Sequence, residues 1–159
     1  MKDDRVKMGF APVYDENSKI LILGSFPSVK SREVAFYYGN KQNRFWRMLF
    51  SSLGEAYIED TEEKRSLLLR KGIALWDIAT ACKIQGSSDA SLKDASIADL
   101  TPILSTAKIE KILLNGSLAY KLFCSRYEGI GIPYYKMPST SPANPRYNEK
   151  EWREQLDDV

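Results

Sequence analysis

The segment Ser18–Ser28, SKILILGSFPS, contains the feature that most constrains the fold. Four consecutive apolar residues, Ile20 to Leu23, end at Gly24. A strand with one solvated face alternates apolar and polar residues, so a continuous apolar run is typical of a strand buried on both faces of a parallel sheet. A parallel sheet needs helices on both of its faces. The segment therefore predicts an α/β fold.

The rest of the chain alternates between the two kinds of pattern. Three further strands are predicted at 73–78, 109–116 and 133–137, and helices within 43–54, 61–72, 96–107, 117–127 and 148–159. Residues 81–95 are polar and contain Gly and Ser, so they predict a loop. Strands that alternate with helices imply right-handed crossovers. The predicted fold is a three-layer α/β/α sandwich around a central, mostly parallel four-stranded sheet.

Length and composition indicate one ordinary domain, residues 1–159. Hydrophobic residues make up 43% of the chain, which is enough for a core. No apolar run approaches the roughly 20 residues that span a bilayer. The N-terminal sequence MKDDRVKMGF lacks the apolar stretch of a signal peptide. These observations predict a cytoplasmic protein.

The chain has no histidine, which excludes many catalytic sites. A Ser-His-Asp or Cys-His nucleophile and a His-ligated metal are impossible. Cys82 and Cys124 are far apart and lack metal-ligand spacing, so they are expected to be packing residues. The net charge of +2 neither indicates nor excludes nucleic-acid binding. Chemistry must come from carboxylates, amides, hydroxyls, Lys, Arg or backbone groups.

Four polar loops follow the four predicted strands: GSFPS, DIATACKIQGSSD, NGS and PSTSPAN. In a parallel sheet the ligand cleft lies beyond the carboxyl ends of the strands. The loops therefore predict a site at one edge of the sheet. Asp77 and Asp89 are the carboxylates in these loops, and either could be a general base.

Each loop also has a purely structural interpretation. GSFPS could form an anion-binding nest or only a strand exit. PSTSPAN could contact a phosphate backbone or only lead into the last helix. Asn115 could face the cleft, or it could form the turn before Gly116.

The segment Phe36–Trp46, FYYGNKQNRFW, is rich in rings and amides. Aromatic rings can stack on a nucleobase, and an Asn amide can hydrogen-bond a base edge or a water. Phe45 and Trp46 are expected in the helix core, whereas the three aromatics before Gly39 cannot easily all be core. Asn43 could also be an ordinary N-cap.

Together these segments resemble the uracil-DNA glycosylase superfamily, most closely its hypoxanthine-DNA glycosylase branch (family 6) and more distantly the mismatch-specific uracil/thymine glycosylases. The resemblance rests on ILILGSFPS, YYGNKQNRFW, GIALWDI, LLNGSLAYKLF and PSTSPANPRY. It implies a monofunctional enzyme that flips hypoxanthine and/or uracil out of DNA and hydrolyses the N-glycosidic bond. It implies no metal or organic cofactor, no membrane, and a monomer acting on DNA with deaminated or mismatched bases.

The resemblance also implies roles for individual residues. The family's first motif usually carries Asn or Asp two positions after the strand-ending Gly, where this chain has Phe26. The catalytic amide is therefore expected at Asn43, with Asn115 contacting the base or stabilising the leaving group, and Tyr38 stacking on the flipped base. Substrate-binding residues are expected at Gly24, Ser25, Phe26, Tyr38 and Asn40, and DNA-binding residues at Pro138, Ser139, Thr140, Ser141, Asn144 and Arg146.

Two other functions stay open at this point. Phe26 in the first motif is compatible with a DNA- or nucleotide-binding relative that has no catalytic activity. A sheet of this kind could also support a hydrolase of small nucleosides or sugars.

Overall fold

A computed structural model describes residues 6–8, 10–26, 36–39, 41–83 and 93–157. Seven strands and five helices lie in this part of the chain. The strands are β1 (Val6–Met8), β2 (Ile20–Gly24), β3 (Ile73–Asp77), β4 (Ala79–Lys83), β5 (Lys93–Ile97), β6 (Lys111–Asn115) and β7 (Tyr134–Met137). The helices are α1 (Phe45–Ser52), α2 (Thr61–Arg70), α3 (Thr101–Thr106), α4 (Ser117–Tyr127) and α5 (Glu149–Leu156).

The central sheet contains four parallel strands in the order β3-β2-β6-β7. The apolar run of β2 occupies one of the two inner positions and is fully buried. Gly24 pairs with Asp77 at the end of β3, and Asn115 pairs with Met137 at the end of β7. The predicted four-stranded parallel sheet is confirmed.

The two faces of β2 contact different helices. Ile20 and Ile22 belong to a core cluster that includes Phe45 of α1, Leu67 of α2 and Trp152 of α5. The alternate residues, Leu21 and Leu23, belong to a second cluster with Ile103 of α3 and Phe123 of α4. This follows from the period of two in a strand. The three-layer α/β/α arrangement is therefore confirmed.

A second, antiparallel sheet corrects the loop prediction for residues 81–83 and 93–95, and residues 84–92 lie outside the described residues. β1, β4 and β5 form a three-stranded sheet in the order β1-β4-β5. The pairing of β4 with β5 shifts register twice, and its residues are mostly small or charged, so the local sequence carries a weak strand pattern. β4 pairs with β1 on one side and with β5 on the other, and this long-range pairing stabilises the sheet.

Three local predictions are corrected or sharpened. α3 begins at Thr101, because Ser96 and Ile97 belong to β5. The N-cap of α1 is Arg44, one residue after the predicted Asn43. Phe36 and Tyr37 are both buried, so of the three aromatics before Gly39 only Tyr38 is partly exposed. Phe45 and Trp46 are core residues, as predicted.

Among the described residues no helix is long and apolar enough to cross a membrane.

Candidate active site

Three polar or small residues end adjacent strands on the same face of the sheet. Ile22, Leu75 and Leu113 pack toward α1. Because side chains alternate along a strand, the residues two positions later face the same way. Those residues are Gly24, Asp77 and Asn115. The carboxyl edge of the sheet on the α1 side is thus lined by a glycine, a carboxylate and an amide.

Two side-chain oxygen atoms, from Asp77 and Tyr38, occupy the space that a side chain at residue 24 would need. A Cβ atom at Gly24 would lie 2.5 Å from Asp77 Oδ1 and 2.6 Å from the Tyr38 hydroxyl oxygen. Such distances are far below van der Waals contact, so a side chain here would displace one of these groups. Asp77 is 4% exposed, which is unusual for a carboxylate. The absence of a side chain at Gly24 lets Asp77 and Tyr38 approach the end of β2.

Tyr38 has a strained backbone and a fixed ring. Its φ of 51° lies in the left-handed region, where a bulky residue is uncommon. The ring packs on Phe45 with 4.2 Å between ring centroids. Observed strain of this kind concentrates at functional sites. The packing holds Tyr38 over the carboxyl edge, where the resemblance expects a base-stacking ring.

The neighbouring Tyr37 anchors this segment in the core. Its hydroxyl donates to the Ala11 carbonyl at 2.6 Å, and its own carbonyl accepts from Trp46 Nε1 at 2.8 Å. Burial raises the pKa of Tyr37 far above its ordinary value, and the negative charge of Asp77 raises it further. Tyr37 therefore stays protonated and serves as a neutral donor.

Asn43 lies at the entrance to α1. Its Oδ1 accepts the N–H of Phe45 at 2.9 Å, which is the first amide of the helix. Asn43 thus satisfies a helix-start amide from the position before the N-cap Arg44. An amide oxygen has two lone pairs, so Oδ1 can still accept from a water molecule. The half-buried side chain is thus held in a fixed orientation beside Arg44, whose N–H donates to the Thr140 carbonyl.

Asn115 is joined to Thr140 by both ends of its amide. Its Nδ2 donates to Thr140 Oγ1 at 3.1 Å, and its Oδ1 accepts the Thr140 N–H at 3.1 Å. Asn115 is therefore more than a turn residue, because its amide holds the loop that follows β7. One Nδ2 hydrogen and one lone pair of Oδ1 remain for another partner.

Arg44 connects α1 to the same loop, and sequence reasoning missed it. Its backbone N–H donates to the Thr140 carbonyl at 3.1 Å. Its guanidinium donates to the carbonyls of Thr140, Ser141 and Asn144, and lies 4.2 Å from the centre of the Tyr147 ring. Arg44 thus joins the start of α1, where Asn43 lies, to the loop 138–146. An Arg beside a helix start gives no sequence signal for this contact.

The loop 138–146 is held by its own side chains. Ser139 Oγ accepts the Ser141 N–H at 3.1 Å, and Asn144 Nδ2 donates to the Ser139 carbonyl at 2.9 Å. Pro138 offers its carbonyl to Trp152 Nε1 at 2.8 Å. Thr140 is buried, whereas Arg146 is exposed. The loop is therefore ordered before any ligand binds, and its charge is at the surface.

The GSFPS segment is described only in part. The Ser25 carbonyl accepts the Ala79 N–H at 3.0 Å, and the ring of Phe26 is 5% exposed. Phe26 is therefore a buried ring at the position where the family usually has a polar side chain. Asn40 and Asp89 lie outside the described residues.

A concavity lies at the opposite edge of the sheet. It has a volume of about 1090 Å³ and is lined by residues at the amino ends of the parallel strands, including Lys19, Gly72 and Lys111. In parallel sheets the ligand site lies at the carboxyl ends. The candidate site is therefore the carboxyl edge with Gly24, Tyr38, Asn43, Asp77 and Asn115.

The chain is similar to characterised families along nearly its whole length. Residues 11–159 match the family model of the uracil DNA glycosylase superfamily. A hypoxanthine DNA glycosylase of Methanosarcina acetivorans is 37% identical over 156 residues, covering 92% of this chain and 96% of the relative. A hypoxanthine DNA glycosylase of Methanosarcina barkeri is 40% identical over 112 residues, covering 69% of this chain and 71% of the relative.

The fold has a solved counterpart. The solution NMR structure of a Methanosarcina acetivorans protein described as a candidate uracil DNA glycosylase superposes with a TM-score of 0.83. It is 36% identical and covers 97% of this chain and 98% of its own. The family match, the relatives and the shared fold agree with the resemblance carried by the strand-end motifs. This chain belongs to the uracil DNA glycosylase superfamily.

Proposed function

We propose that this chain is a monofunctional DNA glycosylase that flips a deaminated base, hypoxanthine and/or uracil, out of DNA and hydrolyses its N-glycosidic bond. The match to the Methanosarcina acetivorans hypoxanthine DNA glycosylase carries the proposal, because it spans almost the full length of both chains. In this proposal residues 1–159 act as one domain and as a monomer, in the cytoplasm and without a cofactor.

The first chemical requirement is a good leaving group. Glycosidic cleavage passes through an oxocarbenium-like sugar while negative charge develops on the departing base. Donors aimed at that charge lower the barrier most when they are fixed in advance. The remaining Nδ2 hydrogen of Asn115 is such a donor, since Thr140 fixes the amide from both ends. Backbone N–H groups of Gly24, Ser25 and Phe26 are further candidates.

The second requirement is a positioned water molecule. Phe26 cannot orient water, because its side chain has no polar atom. Asn43 can, since the second lone pair of its Oδ1 is available beside the Phe45 contact. An amide is a poor base, so its contribution is orientation and not proton removal.

The third requirement is a flipped base in a held strand. Extruding a base costs a few kcal/mol, and least for a mispaired base, which favours deaminated sites. Tyr38 offers a ring for stacking, with Asn40 predicted beside it. The 138–146 loop offers Arg146 and the hydroxyls of Ser139 and Ser141 to phosphates. Thr140 is buried, so it supports the loop from within.

The test uses duplex oligonucleotides that each carry one uracil, hypoxanthine, xanthine or mismatched thymine. Strand breaks are measured with and without alkali. We expect breaks at hypoxanthine or uracil only after alkali, because a monofunctional enzyme leaves an abasic site.

The same assay separates the alternatives. The proposal fails if enzyme in excess over DNA releases none of the four bases. Hydrolysis of free inosine without excision from DNA would favour a nucleoside hydrolase, and tight DNA binding without any excision would favour an inactive relative.

A further inference from the structure

We propose that Trp46 is a positioning residue, because its indole N–H holds the backbone that presents the Tyr38 ring at the carboxyl edge of the sheet. This inference rests on the proposed function, in which Tyr38 stacks on the flipped base. It gives a role in that function to a residue that no step of the proposed mechanism uses. Trp46 is 3% exposed, so it acts through the residues that it contacts.

The hydrogen bond from Trp46 fixes one peptide plane. Trp46 Nε1 donates to the buried Tyr37 carbonyl at 2.8 Å. That carbonyl belongs to the peptide unit that joins Tyr37 to Tyr38, and a peptide unit is planar. The φ angle of Tyr38 is its rotation about the N–Cα bond relative to this plane. A fixed plane therefore limits the directions in which the Tyr38 side chain can point.

The preceding residue of α1 holds the other side of the same torsion. Phe45 packs on the Tyr38 ring with 4.2 Å between ring centroids. Trp46 thus fixes the peptide plane and Phe45 the ring, on either side of the N–Cα bond of Tyr38. The resulting φ of 51° costs a bulky residue free energy. Such a conformation persists only where the surrounding structure imposes it, and these two contacts of α1 supply that constraint.

Trp76 makes the same kind of bond at a place without this strain. Its Nε1 donates to the Phe10 carbonyl at 3.0 Å. Among the described residues other than glycine, only Tyr38 has a positive φ. The two indole bonds therefore share their donor and the type of their acceptor, and they differ in whether the strained residue follows the acceptor. Trp76 has no part in the proposed mechanism, so Trp76→Phe is the matched control for Trp46→Phe.

The first experiment tests the backbone without any catalysis. Glycine adopts a φ of 51° at no steric cost, whereas alanine does not. Tyr38→Gly should therefore unfold at a higher urea concentration than Tyr38→Ala. When Trp46→Phe is added to both, the peptide unit is released and alanine can return to a negative φ, so this difference should disappear or reverse. Trp76→Phe should leave it intact, and an equal difference in all three backgrounds would overturn the inference.

The second experiment measures excision of hypoxanthine or uracil from DNA in a single turnover, with enzyme in excess. Trp46→Phe should lower the rate by about 10- to 100-fold, the cost of a displaced group in the site. The Kd for DNA should change less. In a Tyr38→Ala background the same substitution should change the rate by no more than about 2-fold, because no ring is left to position. Trp76→Phe should leave the wild-type rate unchanged within about 2-fold.

The outcomes separate this inference from the proposed function. If the wild-type enzyme excises no base, the proposed function fails, while the urea comparison still decides whether Trp46 sets the Tyr38 backbone. If the wild-type enzyme is active and Trp46→Phe slows excision equally with and without the Tyr38 ring, Trp46 is only a core residue and the inference is wrong. Should Trp46→Phe fail to fold by circular dichroism, 3-benzothienylalanine at position 46 replaces it in both experiments, because this residue keeps the two-ring shape and lacks the N–H donor.

Discussion

Asn43 and Asn148 make the same local contact at the starts of two different helices. Asn43 Oδ1 accepts the Phe45 N–H at 2.9 Å, and Asn148 Oδ1 accepts the Lys150 N–H at 3.0 Å. Each contact satisfies one amide at a helix N-terminus. Asn43 adjoins Arg44, whose N–H donates to the Thr140 carbonyl at the carboxyl edge of the central sheet, whereas Asn148 has no part in the proposed mechanism.

Replacing Asn43 with Ala should lower the rate of base excision much more than DNA affinity. We expect a loss of roughly 100-fold in the single-turnover rate, because the water loses its orienting group. The Kd for uncleaved DNA should change little. Both variants, Asn43→Ala and Asn148→Ala, should lose about 1 kcal/mol of stability, because each removes a side-chain acceptor of a helix-start amide.

Asn148→Ala is the control for this prediction, since it removes the same kind of helix-start contact at a residue without a part in the proposed mechanism. Its excision rate should equal that of the wild-type enzyme in the same assay. Full activity in Asn43→Ala would show that another group positions the water.

At the scale of elements, Arg44 joins α1 to the loop that follows β7. Its guanidinium donates to backbone carbonyls across about 100 residues of sequence, and it packs on Tyr147. Hydrogen bonds from a charged donor contribute more than neutral ones. The relative position of Asn43 and the loop 138–146 therefore depends on this side chain.

Arg44→Ala should lower the free energy of unfolding by about 2–3 kcal/mol, because buried carbonyls of the loop lose their donors. It should also raise the Kd for DNA. Urea unfolding and a binding titration measure the two effects. Arg47→Ala is the control, since Arg47 lies on the same helix over the Tyr57 ring but away from the loop. Equal effects of the two substitutions would contradict the connecting role.

The start of α2 carries a pH-dependent contact. Glu59 accepts a hydrogen bond from the Tyr57 hydroxyl and one from the buried Lys64 at 2.9 Å. The hydrogen bond from Tyr57, followed by the one from Lys64, lowers the pKa of Glu59 below its ordinary value of 4.5. A lowered carboxyl pKa stabilises the fold above the unfolded value, and this contribution is lost as pH falls through the folded value.

Glu59→Gln should therefore lower the free energy of unfolding at pH 7, and the difference from wild type should shrink in acid. Urea unfolding at pH 7 and below the folded pKa of Glu59 measures this. Glu62→Gln, on the exposed face of the same helix, should show little change at either pH. A difference for Glu59→Gln that persists in acid would rule out the charge as its cause.

The sequence predicted correctly the elements that local interactions stabilise and those with an unmistakable pattern of apolar residues. The uninterrupted apolar run of β2 required a doubly covered strand, and α4 matches its predicted range, 117–127. β4 and β5 were missed because their residues are mostly small or charged and because their sheet is completed by the distant β1, which pairs with β4. Propensity says little about a strand that long-range pairing stabilises.

The same distinction applies to the site. The strand-end positions of Gly24, Asp77 and Asn115 follow from the period of two and the parallel order. The contacts of Arg44 and the burial of Thr140 could not be predicted, because both depend on contacts between residues almost 100 positions apart. Sequence pattern therefore locates the edge of the sheet, while tertiary contacts decide which groups are fixed there.

At the scale of the whole molecule, the two edges of the central sheet make a testable contrast. Net charge is only +2, so DNA affinity must depend on where the basic residues lie. Arg146 is exposed on the loop at the carboxyl edge. Lys19 and Lys108 line the concavity at the amino edge. If DNA binds across the carboxyl edge, Arg146 contacts phosphates and the two lysines do not.

Arg146→Gln should weaken DNA binding to every sequence and reduce the slope of log K against log salt concentration by about 1, the effect of one lost phosphate contact. Lys108→Gln removes the same charge at the amino edge and should leave the slope unchanged. Fluorescence anisotropy over a series of salt concentrations measures both slopes. A reduced slope in Lys108→Gln but not in Arg146→Gln would place the DNA on the opposite edge, and with it the catalytic site. Since the total charge of the two variants is equal, any difference between their slopes reports the location of the charge and not its amount.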